Sequence, residues 1–472
     1  MREQKLLLSG SWEDGEDAVV VRSPWNGREV SRVARGSVAT LGRAAEAAVR
    51  AAPEIAALSP ERRAAILEGA RSALLERREE VVRAIVEEAG KPLSLARGEV
   101  DRAADTLLAS AHVARFPELV ARDLGGFPSG AGRIALTRRV PVGPVLAITP
   151  FNFPLNLVAH KLGPAVAAGC PVVLKPASQT PTPALLLGEA LAKAGLPDGA
   201  LSVVPSRAAD AETLVSDPRF ALLTFTGSAE IGFALRRKAW DRRVALELGG
   251  NAAVIVEPGW DDLADAARRI AGGAFAWAGQ SCISVQRVLV HRDVAGRLRE
   301  LLVAASESFP TGDPSSASTL CGPMIDAASR ERVLSWIEAG QAAGGKLLAG
   351  GRADGPVVRP TLLEEVPEDQ PIVSSELFGP GAVLSTYATF DEALARVNAS
   401  RYGLQAGVFT HDAAKARKAW ETLEVGAVIQ GDVPTWRSDP MPYGGVKASG
   451  VGREGPASAF LEMTEERMLV LR

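Results

Sequence analysis

Three side chains in this sequence stand out as candidates for chemistry, and the first is a cysteine that could act as a nucleophile. Cys282 stands in GQSCI (279–283), just after the expected end of a helix. A lone cysteine most often packs as a small buried hydrophobic residue, and Cys170 and Cys321 are interpreted as packing or surface residues. The glycine and polar neighbours of Cys282 instead favour a reactive nucleophile. Both interpretations of Cys282 stay open from this segment alone.

The other two side chains are a glutamate and an asparagine. Glu247 interrupts the apolar strand VALEL (244–248), where a carboxylate is costly unless it is paired or used. A partly buried Glu has a raised pKa and can act as a base near neutral pH; the alternative is a salt-bridged residue at a strand end. Asn152, in TPFNFP (149–154), lies where a strand passes into a helix. A turn or capping role is the simplest explanation for it.

Two more segments could contact an anionic ligand. Lys175 ends the strand VVLK (172–175), and parallel sheets bind ligands at that carboxyl edge; the alternative is a solvated strand end. In FTGSAEIG (225–232) a glycine and a serine lie between a strand and a helix. Backbone N–H groups at such a helix start suit a phosphate, although an ordinary capped helix has the same pattern. The GxGxxG match at 450–455 has no preceding strand in our prediction, so we interpret it as a glycine-rich turn.

The composition is that of an ordinary globular protein, with 47% hydrophobic and 23% charged residues. The 53 basic and 56 acidic residues give a net charge of −3, so there is no basic excess of the kind that nucleic-acid binders show. Three cysteines do not build a disulfide framework and fit a reducing cytoplasm. The four histidines lack metal-ligand spacing, so no metal site is expected.

These side chains must be positioned by elements whose pattern changes along the chain. Residues 37–116 show apolar residues at helical spacing, with a helix start at Ser59-Pro60-Glu61. From about residue 132 short apolar runs alternate with helical segments. The uncharged run 140–159 has the length of a membrane span, but its four prolines favour a strand, a turn and the start of a helix. The pattern predicts βαβ units and parallel sheets covered on both faces, in a soluble α/β protein with two such domains joined near Gly249-Gly250.

Taken together, the motifs resemble those of the NAD(P)-dependent aldehyde dehydrogenase superfamily. The matching segments span most of the chain in family order: ITPFNFPLN (148–156), KPAS (175–178), FTGSAEIG (225–232), LELGG (246–250), GQSC (279–282), ELFGP (376–380), YGLQAGVFT (402–410) and PYGGVKASGVGREG (442–455). The segment PTWR before MPYGGVK is similar to that of a subgroup handling lactaldehyde-like or phosphonoacetaldehyde-like compounds.

The resemblance implies a fold of two doubly wound parallel-sheet domains plus a small β element that bridges subunits. The implied cofactor domain comprises 1–117 and 140–248, the catalytic domain 249–440, and the bridging element 118–139 and 455–472. It also implies a homodimer or homotetramer located in the cytoplasm.

The implied chemistry is oxidation of an aldehyde to a carboxylic acid. Cys282 would attack the carbonyl carbon to form a thiohemiacetal, with the oxyanion held by the Asn152 amide and the Cys282 N–H. Hydride transfer to the nicotinamide would leave a thioester, which water activated by Glu247 would hydrolyse. The residues implied to bind NAD or NADP are Ile148, Thr149, Pro150, Phe151, Lys175, Ser178, Gly227, Ser228, Leu248, Glu376 and Phe378.

Two departures from the family pattern concern the adenosine end of the cofactor. Many NAD-using members have Glu where this chain has Ser178, and the turn after LSVVP is Ser206-Arg207 where glycine is common. A carboxylate would repel a 2′-phosphate, whereas Ser178 does not and Lys175 could pair with it. We therefore expect NADP+ to be accepted.

The resemblance also implies a small aldehyde as the substrate, and three basic residues suggest an anionic one. Arg102, His160 and Arg437 lie in segments that line the aldehyde tunnel in similar proteins, and an arginine fork suits a carboxylate or phosphonate. Each could instead form a structural ion pair, for example Arg102 with Glu99 or Arg437 with Asp439. Two other functions remain as alternatives: a CoA-acylating relative, which commonly lacks the base matching Glu247, and a non-catalytic ligand-binding relative, which would be expected to have lost part of the catalytic set.

Overall fold

The computed structural model describes residues 1–472. The first part of the chain contains β1 (Arg2–Gln4), β2 (Leu6–Leu8), β3 (Ser11–Glu13), β4 (Asp17–Arg22), β5 (Glu29–Arg35), α1 (Val38–Ala57), α2 (Pro60–Glu76), α3 (Arg78–Ala89), α4 (Leu93–Arg115), β6 (Leu119–Asp123) and β7 (Ile134–Pro141). It continues with β8 (Val145–Ile148), α5 (Asn156–Ala168), β9 (Val172–Lys175), α6 (Thr182–Lys193), β10 (Leu201–Val203), α7 (Ala208–Glu212), β11 (Leu222–Thr226), α8 (Ala229–Lys238) and β12 (Arg243–Glu247).

The rest of the chain follows Gly249. It contains β13 (Ala252–Val256), α9 (Leu263–Phe275), β14 (Val285–His291), α10 (Arg292–Glu307), α11 (Ala327–Ala342), β15 (Lys346–Ala349), β16 (Ala353–Asp354), β17 (Val357–Val358), β18 (Thr361–Glu364), α12 (Pro371–Ser374), β19 (Gly381–Tyr387), α13 (Phe390–Asn398), β20 (Tyr402–Gly403), β21 (Gln405–Phe409), α14 (Ala413–Thr422), β22 (Ala427–Gln430), β23 (Val446–Lys447), β24 (Gly450–Val451), α15 (Pro456–Glu462) and β25 (Thr464–Leu471).

The first large sheet has eight strands in the order β24-β12-β11-β8-β9-β10-β2-β3. Its five central strands are parallel, and antiparallel strands close both edges. The register brings the carboxyl ends level: Ile148 pairs with Lys175 and Phe225, and Thr226 pairs with Glu247. This alignment gathers the segments that follow the strands at one edge of the sheet.

The second large sheet has seven strands in the order β15-β18-β19-β14-β13-β21-β22, all parallel except the edge strand β15. Alternating side chains of each central strand enter different cores: Val254 and Val256 pack with α9 and α10, whereas Ala253 and Ile255 pack with α13 and α14. The first sheet is covered on both faces in the same way. The predicted α/β class with doubly wound parallel sheets is confirmed.

Two smaller three-stranded sheets complete the fold. One joins β1, β5 and β4 near the N-terminus. The other is the antiparallel sheet β25-β7-β6, in which β7 and β25 pair along eight residues from Ile134↔Leu471 to Pro141↔Thr464.

Local signals in the sequence explain several element boundaries. The Ser59 hydroxyl caps α2 by accepting from the Arg62 N–H, as predicted. The region 37–116, predicted to be helical, forms the four helices α1 to α4; α2 ends and α3 begins at Arg77, and Gly90 ends α3 with a left-handed conformation. The uncharged run 140–159 forms the end of β7, then β8, a turn and the start of α5. No helix in the structure is both long enough and apolar enough to cross a bilayer.

The glycine-rich turn 450–455 packs closely against the first sheet. Contrary to our prediction, a short strand, β23, precedes it, and Gly450 itself begins β24, which pairs antiparallel with β12. A Cβ at Gly450 would lie 2.3 Å from the Leu246 carbonyl oxygen. The glycine is needed for this approach of two backbones.

Candidate active site

One cleft of about 1340 Å³ lies between the two large sheets. All fourteen residues predicted for the site line it: Ile148, Thr149, Pro150, Phe151, Asn152, Lys175, Ser178, Gly227, Ser228, Glu247, Leu248, Cys282, Glu376 and Phe378. The two arginines expected near an acidic substrate, Arg102 and Arg437, also line it, whereas His160 is buried behind the wall.

Cys282 reaches the cleft because the chain turns sharply between α9 and β14. Trp277 and Ala278 have left-handed backbones, with φ of 56° and 51°. A Cβ at the next residue, Gly279, would lie 2.1 Å from the Gly379 carbonyl oxygen. Such strained backbone persists only where its surroundings hold it, and the Trp277 indole is held by donating to the Asn152 carbonyl at 3.0 Å.

The Cys282 thiol lies 3.1 Å from the Tyr443 hydroxyl. The pKa of this thiol is raised to about 12, mainly by burial; the carboxylates of Glu376 and Glu247 act in the same direction, whereas the Tyr443 hydrogen bond and Arg437 oppose the shift. The resting side chain is therefore a protonated thiol. It needs a proton acceptor before it can act as a nucleophile.

Glu247 ends β12 and is only 7% exposed. Burial raises its pKa well above the ordinary value, repulsion from Glu454 raises it further, and Arg437 and Lys161 oppose the shift. One carboxyl oxygen, Oε2, has no hydrogen-bond partner. A buried carboxyl group with a raised pKa and a free oxygen has the properties of a general base.

Asn152 follows β8 and is held from two sides. Its main-chain carbonyl accepts from the Lys91 ammonium at 2.8 Å and from the Trp277 indole at 3.0 Å. Its side-chain amide donates one hydrogen to the Gln280 carbonyl at 3.0 Å, so the second amide hydrogen is free. The Cys282 main-chain N–H also has no acceptor in the protein. These two donors could hold a developing oxyanion.

The sequence pattern did not predict a buried ion pair that lies behind Asn152. The ammonium of Lys91 is paired with the Glu99 carboxylate, and both side chains are buried. Glu99 also accepts from the main-chain N–H groups of Leu155 and Asn156, which begin α5. Lys91 lies between α3 and α4, and Glu99 lies on the buried side of α4. No local sequence pattern shows that these two residues meet.

The three basic residues near the tunnel form a connected network with two carboxylates. Arg102 donates to both Asp439 oxygens, at 2.9 and 2.8 Å, and His160 Nε2 lies 2.9 Å from the same carboxylate. Arg437 donates to Glu454 at 2.8 Å. The ion pairs suggested as alternatives were therefore wrong in their partners: Arg102 pairs with Asp439 rather than Glu99, which Lys91 occupies, and Arg437 pairs with Glu454 rather than Asp439.

The opposite end of the cleft has the features of a dinucleotide site. Lys175 is 9% exposed, makes no hydrogen bond or ion pair within the protein, and has a pKa lowered by burial. The start of α8 also lines the cleft, with Ser228 as its capping residue. The first N–H groups of a helix have no partners within it and attract anions. A largely buried ammonium without a partner, beside such a helix start, fits a phosphate-bearing cofactor.

The middle of the cleft is shaped by Glu376 and Phe378. Glu376 accepts from the Gly250 N–H at 2.9 Å, and burial raises its pKa to about 7. A Cβ at Gly249 would lie 2.3 Å from a Glu376 oxygen, so only glycine leaves this space. Phe378 has a φ of 47°, and its ring meets the Phe151 ring edge-on at 6.0 Å. These groups can contact the riboses and the ring of a nicotinamide cofactor.

Comparison with curated proteins gives close relatives over most of the chain. Residues 12–469 match the model of the aldehyde dehydrogenase family. The 3-sulfolactaldehyde dehydrogenase of Priestia megaterium is 45% identical over 396 residues, covering 84% of this chain and 83% of that protein. The lactaldehyde dehydrogenase of Methanococcus aeolicus is 33% identical and covers 99% of both chains.

Solved structures agree over the whole length. Aldehyde dehydrogenase 21 from Physcomitrella patens, in complex with its reaction product succinate, superposes with a TM-score of 0.97 at 40% identity and covers 100% of this chain and 98% of its own. The NADP-dependent glyceraldehyde-3-phosphate dehydrogenase from Bacillus halodurans, complexed with NADP, superposes with a TM-score of 0.97 at 33% identity, with full coverage of both chains. The chain therefore belongs to the aldehyde dehydrogenase family, as an oxidoreductase that acts on the aldehyde group with NAD(P)+ as the acceptor.

Proposed function

We propose that the enzyme oxidises a small aldehyde carrying a carboxylate, sulfonate or phosphonate group to the corresponding acid. The observation that carries this proposal is the arginine pair at the aldehyde end of the cleft. Arg102 and Arg437 each use Nη2 for a carboxylate of the protein, and Nη1 of each has no partner. A guanidinium with free N–H groups in a largely buried cleft suits an acidic group on the substrate.

The names of similar proteins support an acidic substrate. A relative is named for 3-sulfolactaldehyde and another for sulfoacetaldehyde, and a similar solved structure holds succinate as its product. Sulfonates and carboxylates are different acids of similar charge, and an arginine pair accepts either. The chemical class is therefore a short aldehyde with an anionic terminus.

In the proposed first step the Cys282 sulfur attacks the carbonyl carbon. The thiol proton passes to the free oxygen of Glu247 as the carbon–sulfur bond forms, and the carbonyl oxygen gains the negative charge. The free amide hydrogen of Asn152 and the Cys282 main-chain N–H donate to that oxygen. One such donor contributes about 10²–10³ in rate.

The later steps use the same residues in turn. When bound, NAD(P)+ supplies the acceptor for the two electrons and the hydrogen that leave the carbon. Glu247 first passes the thiol proton to solvent. As a carboxylate again, it takes a proton from the water that attacks the resulting thioester and gives it to the departing Cys282 sulfur, so that the acid is released and the Cys282 thiol is restored. Hydrolysis by water, rather than transfer to CoA, is supported by the free Glu247 oxygen.

The experiment uses pairs of aldehydes matched in length, with and without a terminal acid, in wild type and Arg102→Ala. Arg102 is chosen because Arg437 also supports Glu454 and covers Tyr443. We expect kcat/KM to favour the acidic member of each pair in wild type, and Arg102→Ala to remove most of that preference. Equal kcat/KM for both members in wild type would overturn the acidic-substrate proposal.

A parallel arm tests the acceptor of the acyl group. The acid product is quantified with and without CoA in the assay. We expect the same amount of free acid in both cases and no acyl-CoA. Formation of acyl-CoA at the rate of cofactor reduction would establish the acylating alternative instead.

We also infer that NADP+ is accepted. Ser178 contributes no charge at the adenosine end, and its hydroxyl makes only a long contact of 3.5 Å to the Ser206 carbonyl. The unpartnered Lys175 ammonium is available to a 2′-phosphate. A similar enzyme of known structure is complexed with NADP.

We propose the domain division expected from the sequence, with one refinement. The five large apolar cores separate at Gly249. The buried residues of two clusters lie before it, apart from Phe460 and Met463, and those of the other three lie between 253 and 433, although Trp25 packs against one of these. Because Phe460 packs in the core of the first unit, α15 belongs with that unit. The bridging element then consists of the antiparallel sheet β25-β7-β6, so its second segment begins at Thr464 rather than 455.

That antiparallel sheet supports the proposal of a homo-oligomer. Its edge strand β25 exposes Met468, Leu469, Val470 and Leu471, and an unpaired edge with apolar side chains is a template for pairing with another chain. Sedimentation of the full chain should show a dimer or tetramer. Leu469→Lys should shift the distribution towards smaller species, and a monomeric wild type would contradict the proposal.

A further inference from the structure

We propose that Tyr443 is a further catalytic residue, which donates a hydrogen bond to the Cys282 sulfur and stabilises its thiolate while Arg437 lies against the face of its ring. This role rests on the proposed function of Cys282 as the nucleophile. It concerns how the thiolate forms in a cleft that otherwise disfavours it.

The geometry of the contact is specific. The Tyr443 hydroxyl lies 3.1 Å from Cys282 Sγ, and it makes no hydrogen bond to any other group of the protein. The tyrosine is 4% exposed, so water does not compete freely for the hydroxyl. A thiolate has no hydrogen to give, so once Cys282 ionises the tyrosine must be the donor.

A fixed cation strengthens this donor. The Arg437 guanidinium carbon is 3.8 Å from the centre of the Tyr443 ring, within the range of a cation–π contact. Arg437 is held there by Glu454 at 2.8 Å and lies 3.0 Å from His160 Nε2. A cation on the ring face withdraws electron density from the phenol, which makes the O–H a stronger donor and adds a positive charge close to the sulfur.

The surroundings explain why such help is needed. Burial of Cys282 and the nearby carboxylates of Glu247 and Glu376 all favour the neutral thiol. The Tyr443 hydroxyl and Arg437 are the groups that favour the thiolate. Without these two groups, burial and the two carboxylates would be left to disfavour the thiolate.

The chain holds the ring firmly in place. Tyr443 and Glu454 are bridged through their main chains, with N–H to carbonyl distances of 2.9 and 2.6 Å. The ring packs with Ile283 and Leu404 in a small apolar cluster that Cys282 adjoins. The same main-chain bridge joins the tyrosine to the carboxylate that anchors Arg437, so hydroxyl, ring and cation form one rigid unit.

The proton balance of the step is simple. The Cys282 proton leaves to the free oxygen of Glu247, and Tyr443 keeps its own proton throughout. When the sulfur adds to the aldehyde carbon its charge passes to the carbonyl oxygen, and the hydrogen bond from Tyr443 weakens. The tyrosine thus raises the fraction of thiolate, at some loss in the intrinsic reactivity of each thiolate.

The test is the pH dependence of Cys282 alkylation by iodoacetamide, followed by mass spectrometry of the Cys282 peptide in the full-length enzyme. A hydrogen bond to a charged group corresponds to a shift of roughly one to two pH units. In Tyr443→Phe we therefore expect the midpoint of alkylation to rise by that amount, and the rate at neutral pH to fall about tenfold or more. The first turnover of aldehyde should slow in parallel and recover at high pH.

Two comparisons make the result decisive. Tyr387→Phe removes a buried hydroxyl that donates to the Val256 carbonyl and Glu257 and lies outside the cleft, so its alkylation midpoint should equal that of wild type. Tyr443→3-fluorotyrosine keeps the shape of the ring but makes the hydroxyl more acidic, so the midpoint should fall. This second variant also provides the test if Tyr443→Phe does not fold.

An unchanged midpoint in a folded Tyr443→Phe, or in Tyr443→3-fluorotyrosine, would overturn the role of Tyr443 and leave Cys282 as the nucleophile. Failure of the underlying assignment has a different signature. If complete alkylation of Cys282 in the wild type left turnover intact, Cys282 would not be the nucleophile, whatever the pH profile showed.

Discussion

The two large sheets contribute to the cleft through opposite edges. The first sheet supplies residues that follow its strands: Asn152 after β8, Lys175 at the end of β9, and Glu247 at the end of β12. The second sheet supplies residues that precede its strands, with Cys282 before β14 and Glu376 before β19. The carboxyl edge of one sheet therefore faces the amino edge of the other across the site.

The carboxyl edge of the second sheet does not line the cleft, and we call it the unused edge. At its carboxyl end Tyr387 donates to the Val256 carbonyl at 3.0 Å, His291 contacts the Ala388 carbonyl at 3.1 Å, and His411 pairs with Asp261 at 2.8 Å. Each of these polar groups has a partner elsewhere in the protein, and none of them lines the cleft. In the first sheet, by contrast, Lys175 and one oxygen of Glu247 have no partners. Unsatisfied groups, rather than the edge alone, mark the functional side.

The largest expected effect tests the contribution of the second sheet. Cys282→Ala should reduce aldehyde oxidation below about 1% of wild type, because removal of the nucleophile abolishes covalent catalysis. Binding of NAD(P)+, measured by calorimetry, should stay within about twofold, since a small side chain is lost from a cleft whose shape is otherwise kept. Turnover well above 1% in a clean preparation would remove Cys282 from the mechanism.

The next effect tests the contribution of the first sheet. Glu247→Gln should lower steady-state turnover by about 10²–10³-fold, as expected for loss of a general base, and convert the time course into a burst of reduced cofactor followed by a slow phase. Because Glu247 also accepts the thiol proton, the burst itself should be slower than in wild type, but by a smaller factor than the steady state. Equal factors would show that Glu247 has no greater role in thioester hydrolysis than in deprotonation of the thiol.

The same residue governs the pH profile. Glu247 works as a base only when it is ionised, and its pKa is raised. Activity should therefore rise with pH through the raised pKa of Glu247, and this acidic limb of the kcat profile should disappear in Glu247→Gln. Persistence of the limb in the variant would assign it to another group.

A smaller effect concerns the support of Asn152. Glu99→Gln leaves the Lys91 ammonium buried without its counter-ion, which costs about 3–5 kcal/mol in the free energy of unfolding. The matched control is Asp101→Asn on the same helix, whose pair with Arg78 is largely exposed and contributes no more than about 1 kcal/mol. Urea unfolding measures the loss in the free energy of unfolding for both variants. Equal losses would show that the buried pair stabilises the fold no more than the exposed one does.

Replacement of Ser178, near the carboxyl edge of the first sheet, should change the preference between NADP+ and NAD+ by about an order of magnitude. In Ser178→Glu the new carboxylate would repel a 2′-phosphate and accept from the ribose hydroxyls, so the ratio of kcat/KM for NADP+ to NAD+ should fall about tenfold. A wild type inactive with NADP+ would contradict the inference about Ser178 and Lys175.

The smallest effect is expected at the unused edge. His411 stacks on Trp260 at 4.2 Å and contacts Asp261, outside the cleft. His411→Ala should change kcat/KM less than twofold with any aldehyde. A larger change would mean that this edge communicates with the site, and the contrast between the two edges would no longer hold.

Much of the site could be predicted from the sequence because its parts are local. The chemistry of Cys282, Glu247 and Lys175 depends on residue type and on the strand or turn beside each, and strands, helices and caps are encoded over short distances. The α/β class follows from the alternation of apolar runs with helical segments. The segments that contain these residues also follow one another in the order found in a known family, and this resemblance implies that they meet in one site.

What only the tertiary structure decided is which distant groups meet. The pairing of Arg102 with Asp439, of Lys91 with Glu99 behind Asn152, and of the Tyr443 hydroxyl with the Cys282 sulfur depends on how helices and loops pack. Burial also sets the pKa of Glu247 and of the thiol, and burial is a property of the whole fold. Sequence patterns report neighbours along the chain, whereas these interactions fall off over a few ångströms in space, so the strongest of them join residues that no local pattern connects.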